Sequence, residues 1–526
     1  MILNVFNKMK GFAPLLALVL LMCSCAMTPP EDADDLVISE SFGIEISEDN
    51  GPAFDDTVYT PTKGLEYSLS GDKSYYVVSG IGEADGAEIV IPSEHNGKPV
   101  KKIGEKAFAG GRFISVVIPD SITHIEDRAF FYCYNLKQVI GGRGVSILGE
   151  GVFENCISLT EYTVYKAMIK ISSDAFMNCF ALSAINVTPA NELFASINGD
   201  LYSKNGKILL RYALGKPDDF YTVSDTVSEI GAYAFAGAYR LSMVEFGKGV
   251  TKIGDGAFYA CYGIEELYLP DTVQEIGSSA FANCSSLLSV NTGGAKVISD
   301  GAFARCQRLR TAVIGDSAEK LGNYLFYHCR RLKNVTIGEN ADKIGAYAFG
   351  ECSSLAQIEL GGVKMIDSYA FYNCYDLKSI DIPAGVATIG YQAFFECKEL
   401  ADVTLRSGLV RIGKYAFCKT AISEIALPEG LLTIDDSAFA ACANLDEIII
   451  PDSVEIIGAY AFCGCETLES VVIGKGVKYI GSSAFSECVA VEDAAYRGSA
   501  EEFKSIVIEN YNNAITDLKI KYNYQE

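Results

Sequence analysis

The 526-residue chain has no tryptophan and only 3 histidines. It holds no His-Glu-x-x-His pattern and no Gly-rich phosphate loop, and no Ser–His–Asp grouping suggests itself. The usual carriers of hydrolytic, metal and nucleotide chemistry are therefore missing, and no cofactor is expected. Basic residues are also scarce: Lys and Arg total 43 against 67 Asp and Glu, a formal charge of −24. Binding nucleic acid needs clustered cations that displace counterions, so that class is excluded, and an anionic bilayer surface is as unwelcoming. Proline is sparse, 14 residues, and with 49 glycines it is spread evenly rather than gathered into linkers. Even spreading points to one motif used many times.

Long apolar runs are missing too, except for one near the start. Lys8 and Lys10 precede the run Gly11–Met22, which leads to Cys23-Ser24-Cys25. A bilayer span needs about 20 apolar residues, so a basic start and so short a run read as a secretory signal over residues 1–25. The ending resembles a bacterial lipoprotein signal, in which a cysteine receives the lipid. Cys25, preceded by the small Ser24, is the candidate, and simple cleavage is the alternative. Residues 26–63, with Pro29-Pro30 and the run Glu31-Asp32-Ala33-Asp34-Asp35, cannot bury enough apolar surface to order themselves and read as a flexible acidic linker. The expectation is an exported, monomeric protein that meets the membrane only through a lipid.

What fills the rest is a repeat. The phrase Ile-Gly-x-x-Ala-Phe-x-x-Cys-x-x-Leu recurs around sixteen anchor phenylalanines, from Phe108 to Phe485, at intervals of 22 or 23 residues. One interval is longer, 59 residues between Phe176 and Phe235. In the copy beginning at Phe439, Leu445 to Ile450 alternates with period two and predicts a short strand with Ile448 and Ile450 facing inward. Pro451 ends it, Val454 and Ile457 return to the core, and Gly458 is expected to allow the turn. One such unit orders too many residues for the few apolar side chains it buries, so neighbours must stack and share a core. In the long interval, Asn198-Gly199 and Asn205-Gly206 suit hairpin turns, predicting a two- or three-stranded flap over 193–213.

The Ala-Phe-x-x-Cys-x-x-Leu repeat resembles the leucine-rich repeats of BspA-like bacterial surface proteins, over about residues 64–526. The lead-in Gly64-Leu65-Glu66-Tyr67 and the ending Tyr496-Arg497-Gly498-Ser499 are similar to that family's ends. The resemblance implies a leucine-rich-repeat solenoid: a parallel sheet of stacked short strands with irregular or short helical returns. Residues 100–495 form the solenoid, with caps at 64–99 and 496–526. It also implies a cell-surface location and adhesion to protein or glycoprotein ligands on a host or on other microbes. A cell-envelope role with a polysaccharide contact is the rival; a surface hydrolase is the third reading.

Thirteen of the 17 cysteines sit three residues after an anchor Phe, where Ala238 and Thr420 substitute in two copies. An odd-numbered ladder of parallel thiols is poor disulfide geometry, and one thiol per layer cannot surround a metal. They read as buried, reduced, small apolar groups. His95, His124 and His328 fall too far apart in repeat register to meet along the stack. Ligand binding is expected on the outward residues of the strands, which differ between copies. Gln357, Glu359, Ser379, Asp381, Asp402, Thr404 and Glu424 make the polar, acidic stretch suited to a basic protein face or to contact through calcium. Tyrosine also recurs two residues before the anchor, at Tyr233, Tyr324, Tyr347, Tyr369, Tyr415 and Tyr460. That row reads either as a stacking surface for sugars or a partner, or as a shield over the turns.

Overall fold

A computed structural model describes residues 59–525; Cys25 and the linker before residue 59 lie outside the described residues. Each repeat supplies two strands and one turn. The longer strands, three or four residues each, pair in parallel with their counterparts one repeat away: Glu447 lies against Ser470, Ile448 against Val471 and Ile449 against Val472. Ile448 and Ile450 are fully buried, as the alternation predicts, and so are Val454 and Ile457. The stretch after Pro451 closes as a turn, with Val454 N–H donating to the Pro451 carbonyl at 3.1 Å.

Two-residue strands build a second parallel ladder, which the sequence reading did not separate from the first. Thr433–Ile434, Ile456–Ile457 and Tyr479–Ile480 follow one another in register. Their second residues are the buried aliphatics before each glycine. The anchor turns form the third column. Around Phe439, the N–H groups of Ser437, Phe439 and Ala441 donate to Ala459, Ala461 and Cys463 of the next turn at 2.7–2.9 Å. The intervening N–H groups of Ala438, Ala440 and Cys442 donate within their own turn. Every other amide thus bonds along the stack, which leaves no need for helical returns; helices occur only at Ala500–Lys504 and Asn513–Thr516 among the described residues.

That alternation needs left-handed backbone on both sides of the anchor. Ser437 has φ +56° and Ala441 φ +58°, and the equivalent residues of almost every copy do the same. Gly458 does not: the expected turn role falls on Tyr460, with φ +59°. What fixes Gly458 is proximity, since a β-carbon there would sit 2.4 Å from the amide nitrogen of Asp436 in the preceding turn. The anchor rings stack face to face along the core, for example Phe394 on Phe417 at 5.1 Å and 2°. Isolated aromatic pairs prefer offset or edge-on contacts; here the spacing of the backbone ladder, about 4.8 Å, sets the geometry.

The long interval between Phe176 and Phe235 is a three-stranded antiparallel meander, Phe194–Ile197, Asp200–Ser203 and Ile208–Arg211. Asn198 and Gly199 take left-handed angles at its first turn. Its last strand pairs in parallel with Glu229–Ile230, so the meander is woven into the short-strand ladder. Here the core divides into two blocks: Leu201 packs into the first and its neighbour Tyr202 into the second. Tyr212 takes the place of an anchor ring, stacking on Phe235 at 5.3 Å. Asp200 is fully buried and accepts from Ala213 N–H and Tyr221 Oη, both at 2.9 Å, with Lys216 Nζ 2.7 Å away. Arg211, also buried, donates to the carbonyls of Phe176, Tyr233 and Ala236.

A hairpin lies at one end of the short-strand ladder, and a side chain meets the last anchor turn at the other. The hairpin Glu66–Leu69 and Tyr76–Gly80 lies on the edge of the short-strand ladder, paired with Lys98–Ile103. Among the described residues, no anchor turn follows to receive Phe485. Its N–H donates instead to Asn512 Oδ1 at 3.1 Å, while Asn512 Nδ2 bonds the Gly481 carbonyl at 3.0 Å.

Arg211→Ala should lower stability by at least about 2 kcal/mol, because hydrogen bonds from a charged group are worth about 1.5–3 kcal/mol each. Exposed Arg331→Ala, by contrast, should stay within about 0.5 kcal/mol. Urea unfolding of the two variants side by side checks this; equal midpoints would show that the meander does not need its buried guanidinium.

Candidate functional site

The seven outward residues read from the sequence fall on four consecutive turns, and all seven are exposed. They form two columns, because parallel pairing aligns equivalent positions: Ser379 lies against Asp402 and Asp381 against Thr404. Asp402 bridges to Glu424 on the next turn. Gln357 and Glu359 pair backwards with Asn334 and Thr336, and the ladder of longer strands is interrupted between Glu359 and Ser379. The stretch is thus two adjoining patches. One carboxylate is already engaged: Arg406 Nε donates to Asp381 Oδ1 at 2.7 Å, and this hydrogen bond holds the Asp381 carboxyl below the usual carboxylate range. Arg406, four residues beyond Asp402, is the side chain that the sequence reading missed. Strand alternation places it just past the inward Leu405, where an outward neighbour of Asp381 could have been anticipated.

A shallow groove of about 300 Å³ lies beside Glu359, with Asp316 and Glu339 as its other acidic residues. Among the described residues, no group of three His, Cys, Asp or Glu side chains is placed to hold a metal ion. Many turn carboxylates serve the backbone instead. Asp127, Asp255, Asp300 and Asp436 each accept, through Oδ1, from an N–H one turn later at 2.7–3.0 Å.

The thiol ladder has a structural task beyond filling space. All thirteen ladder cysteines are buried, and each Sγ donates to the carbonyl of the anchor Phe one turn earlier at 3.0–3.3 Å. A small apolar group that is also a weak donor suits the position better than alanine. Where the meander replaces the next turn, the Phe176 carbonyl has no such thiol, and Arg211 supplies the donor at 2.9 Å. Burial pushes the thiols of Cys179 and Cys261 up to about 12. These are inert groups, not nucleophiles.

The recurrent tyrosines occupy the left-handed position before the anchor, with φ of +53° to +60° at all six sites. That conformation is unfavourable for a bulky residue. Mutual stacking offsets it: Tyr324 lies on Tyr347 at 5.2 Å and Tyr347 on Tyr369 at 4.3 Å. Tyr369 then meets Tyr391 edge-on at 5.1 Å. Because these rings cover one another's faces, they present edges outward. A sugar needs an open face to stack on, so the geometry favours the shielding role for this part of the row.

A family model, the BspA type leucine-rich repeat region, matches residues 88–208, 219–330, 292–401, 319–445, 364–492 and 432–525. The chain belongs to the BspA-type leucine-rich-repeat family. Among solved structures, it is similar to a leucine-rich repeat protein from Bacteroides ovatus, with 23% identity over 88% of this chain and 98% of that one, TM-score 0.48. One from Eubacterium ventriosum shares 21% over 71% and 97%, TM-score 0.48. A leucine rich cell surface protein from Faecalibacterium prausnitzii shares 20% over 87% and 98%, TM-score 0.35. No curated protein matches the chain. The family assignment rests on the repeat model, and likenesses of this size say nothing about a ligand.

Two measurements test these turns. Tyr347→Ala should be less stable than Tyr347→Gly by about 1 kcal/mol, since both lose the stack but only alanine keeps the left-handed cost; the reverse order in urea midpoints would remove that explanation. Native protein treated with a disulfide exchange reagent should, among the described thiols, label half-buried Cys463 first and the ladder only on unfolding. Fast native labelling of Cys306 or Cys352 would contradict the buried-donor role.

Proposed function

We propose that this BspA-type protein is an exported cell-surface binding module that recognises a protein or glycoprotein through the outward face of its longer strands. The observation that carries this reading is the contrast across one strand. Inward positions such as Val335, Ile358, Ile380, Val403 and Ile448 are uniformly aliphatic and buried. Their outward neighbours run through Asn334, Gln357, Ser379, Asp402 and Glu447 with no constraint from the core. A regular backbone displaying variable side chains suits recognition, and rigid strands hold the contacts at fixed spacing. The basic start and short apolar run before Cys25 support export, and we propose a lipid on Cys25 as the anchor.

The contact set consists of Gln357, Glu359, Ser379, Asp402, Thr404 and Glu424, with Asp381 acting together with its partner Arg406. Four of these positions are carboxylates and one cation stands among them, so a predominantly basic protein face is the complementary partner. Binding, rather than turnover, is the proposed activity.

The test is a screen of the full chain against matrix glycoproteins and a glycan array, with and without calcium. A variant with Gln357, Glu359, Asp381, Asp402 and Glu424 changed to Ala is run beside it. Saturable binding to a glycoprotein, weakened at least about tenfold in the variant, is expected. Binding to glycans alone would support a polysaccharide role instead. Glycoprotein binding unchanged in the variant would move the site off this face.

A further inference from the structure

Beside the meander the strand face changes character. Phe220, Met243 and Tyr268 are outward residues of three consecutive longer strands, exposed by 41%, 40% and 69%. Phe220 lies directly against Met243 in parallel register. The next strand follows on, with Glu265 N–H donating to the Ser242 carbonyl at 3.3 Å. Tyr268 reaches back along its own strand, its Oη donating to Glu266 Oε2 at 2.8 Å. Phe220–Thr222 pairs with Met243–Glu245 as a two-stranded ladder with no second strand partner, because the meander interrupts the stack there. Tyr268 stands in the second outward column, after Thr222 and Glu245, and beyond it that column reads Asn291, Val313, Thr336, Glu359, Asp381 and Thr404, while the column of Phe220 and Met243 continues as Glu266, Ser289, Thr311 and Asn334. The concentration of apolar groups is therefore local.

Its surroundings are acidic. Asp218, Asp219, Glu245 and Glu266 are all exposed, and among the described residues no lysine or arginine forms an ion pair with any of them. The nearby Arg240 is committed elsewhere, its Nε donating to Tyr239 Oη at 3.0 Å with the guanidinium over that ring. Large apolar side chains beside carboxylates that hold hydroxyls but no cation have the composition of an interface centre with a charged rim.

We infer that Phe220, Met243 and Tyr268 form a docking patch, distinct from the acidic stretch at 357–424, that takes a cationic protein segment carrying bulky apolar side chains. This deepens the reading of the protein as a binding module and rests on it. The carboxylates attract and orient the segment, and the three side chains discriminate among cationic segments by what lies between the charges.

The experiment titrates the full chain with a fluorescent nonapeptide that has a leucine–phenylalanine–leucine centre between lysine triplets. Two further peptides replace the centre by serines or the lysines by glutamates. Saturable binding of the first peptide is expected, at least about tenfold tighter than the serine-centred one and absent for the glutamate one. Combined Phe220→Ser, Met243→Ser and Tyr268→Ser should remove that preference while the circular dichroism at the assay temperature stays that of the folded chain, since none of the three side chains belongs to the buried core. Glu245→Gln with Glu266→Gln should weaken both lysine peptides. Equal affinity for the serine-centred peptide, or undiminished preference in the triple variant, overturns the patch. If substitutions at Glu359, Asp402 and Glu424 alone abolish peptide binding, the patch falls while the acidic strand face stands. Loss of both peptide and glycoprotein binding in the unaltered chain would sink the binding-module reading itself.

Discussion

Everything in this solenoid depends on hydrogen bonds that run from one turn to the next. They fix the rise per repeat at one strand spacing, about 4.8 Å, in both strand ladders and in the anchor turns alike. Once that rise is set, an inward residue meets its own equivalent above and below. Phenylalanine must then stack flat on phenylalanine. A cysteine three residues later falls under the preceding anchor carbonyl, where it donates at 3.0–3.3 Å. Close approach also explains the glycine after the short strand, since a side chain at Gly458 would collide with the backbone at Asp436. The repeated phrase is a list of the side chains that tolerate meeting themselves at this distance.

The meander shows what is required when the rule is broken. Removing regular turns between Phe176 and Phe235 leaves a carbonyl without its thiol and a ring without its neighbour. Arg211 supplies the first and Tyr212 the second. A buried charge is costly unless it is engaged; Arg211 bonds three backbone carbonyls through its terminal nitrogens, leaving only Nε without a partner, while Asp200 holds an amide, a phenol and a lysine. Polar groups here join two apolar blocks that would otherwise end in open core.

Much of this was legible in the chain. The alternation around Ile448 and Ile450 placed the longer strands and their inward faces, and the spacing of Cys306 and Cys329 from their anchors placed a thiol ladder. The second ladder was hidden because two residues are too few to show a period. The left-handed backbone was hidden because Tyr347, Glu351 and Ala441 adopt it, and none of these residue types signals it. Turn-to-turn bonding imposes those angles, which is a tertiary effect. The outward residues from Gln357 to Glu424 were legible as exposed. That Asp381 is shared with Arg406 was not, because the pairing crosses two strands.

Regularity also limits what the molecule can recognise. A face that repeats the same backbone every turn offers any ligand many equivalent positions, and selectivity must come from side chains that break the repeat. Along the acidic stretch the break is chemical: carboxylates are interspersed with hydroxyls and one amide, and Arg406 interrupts them. Beside the meander the break is architectural, because the ladder stops and Phe220 begins again with a partner on one side only. Phe220 lies in the long interval, where the chain departs from its own phrase, whereas Met243 stands in the regular copy that begins at Phe235. Neither packing nor solubility accounts for apolar side chains left outside beside an insertion that the core accommodates with buried charges. The docking patch proposed for Phe220, Met243 and Tyr268 gives such a surface a physical reason.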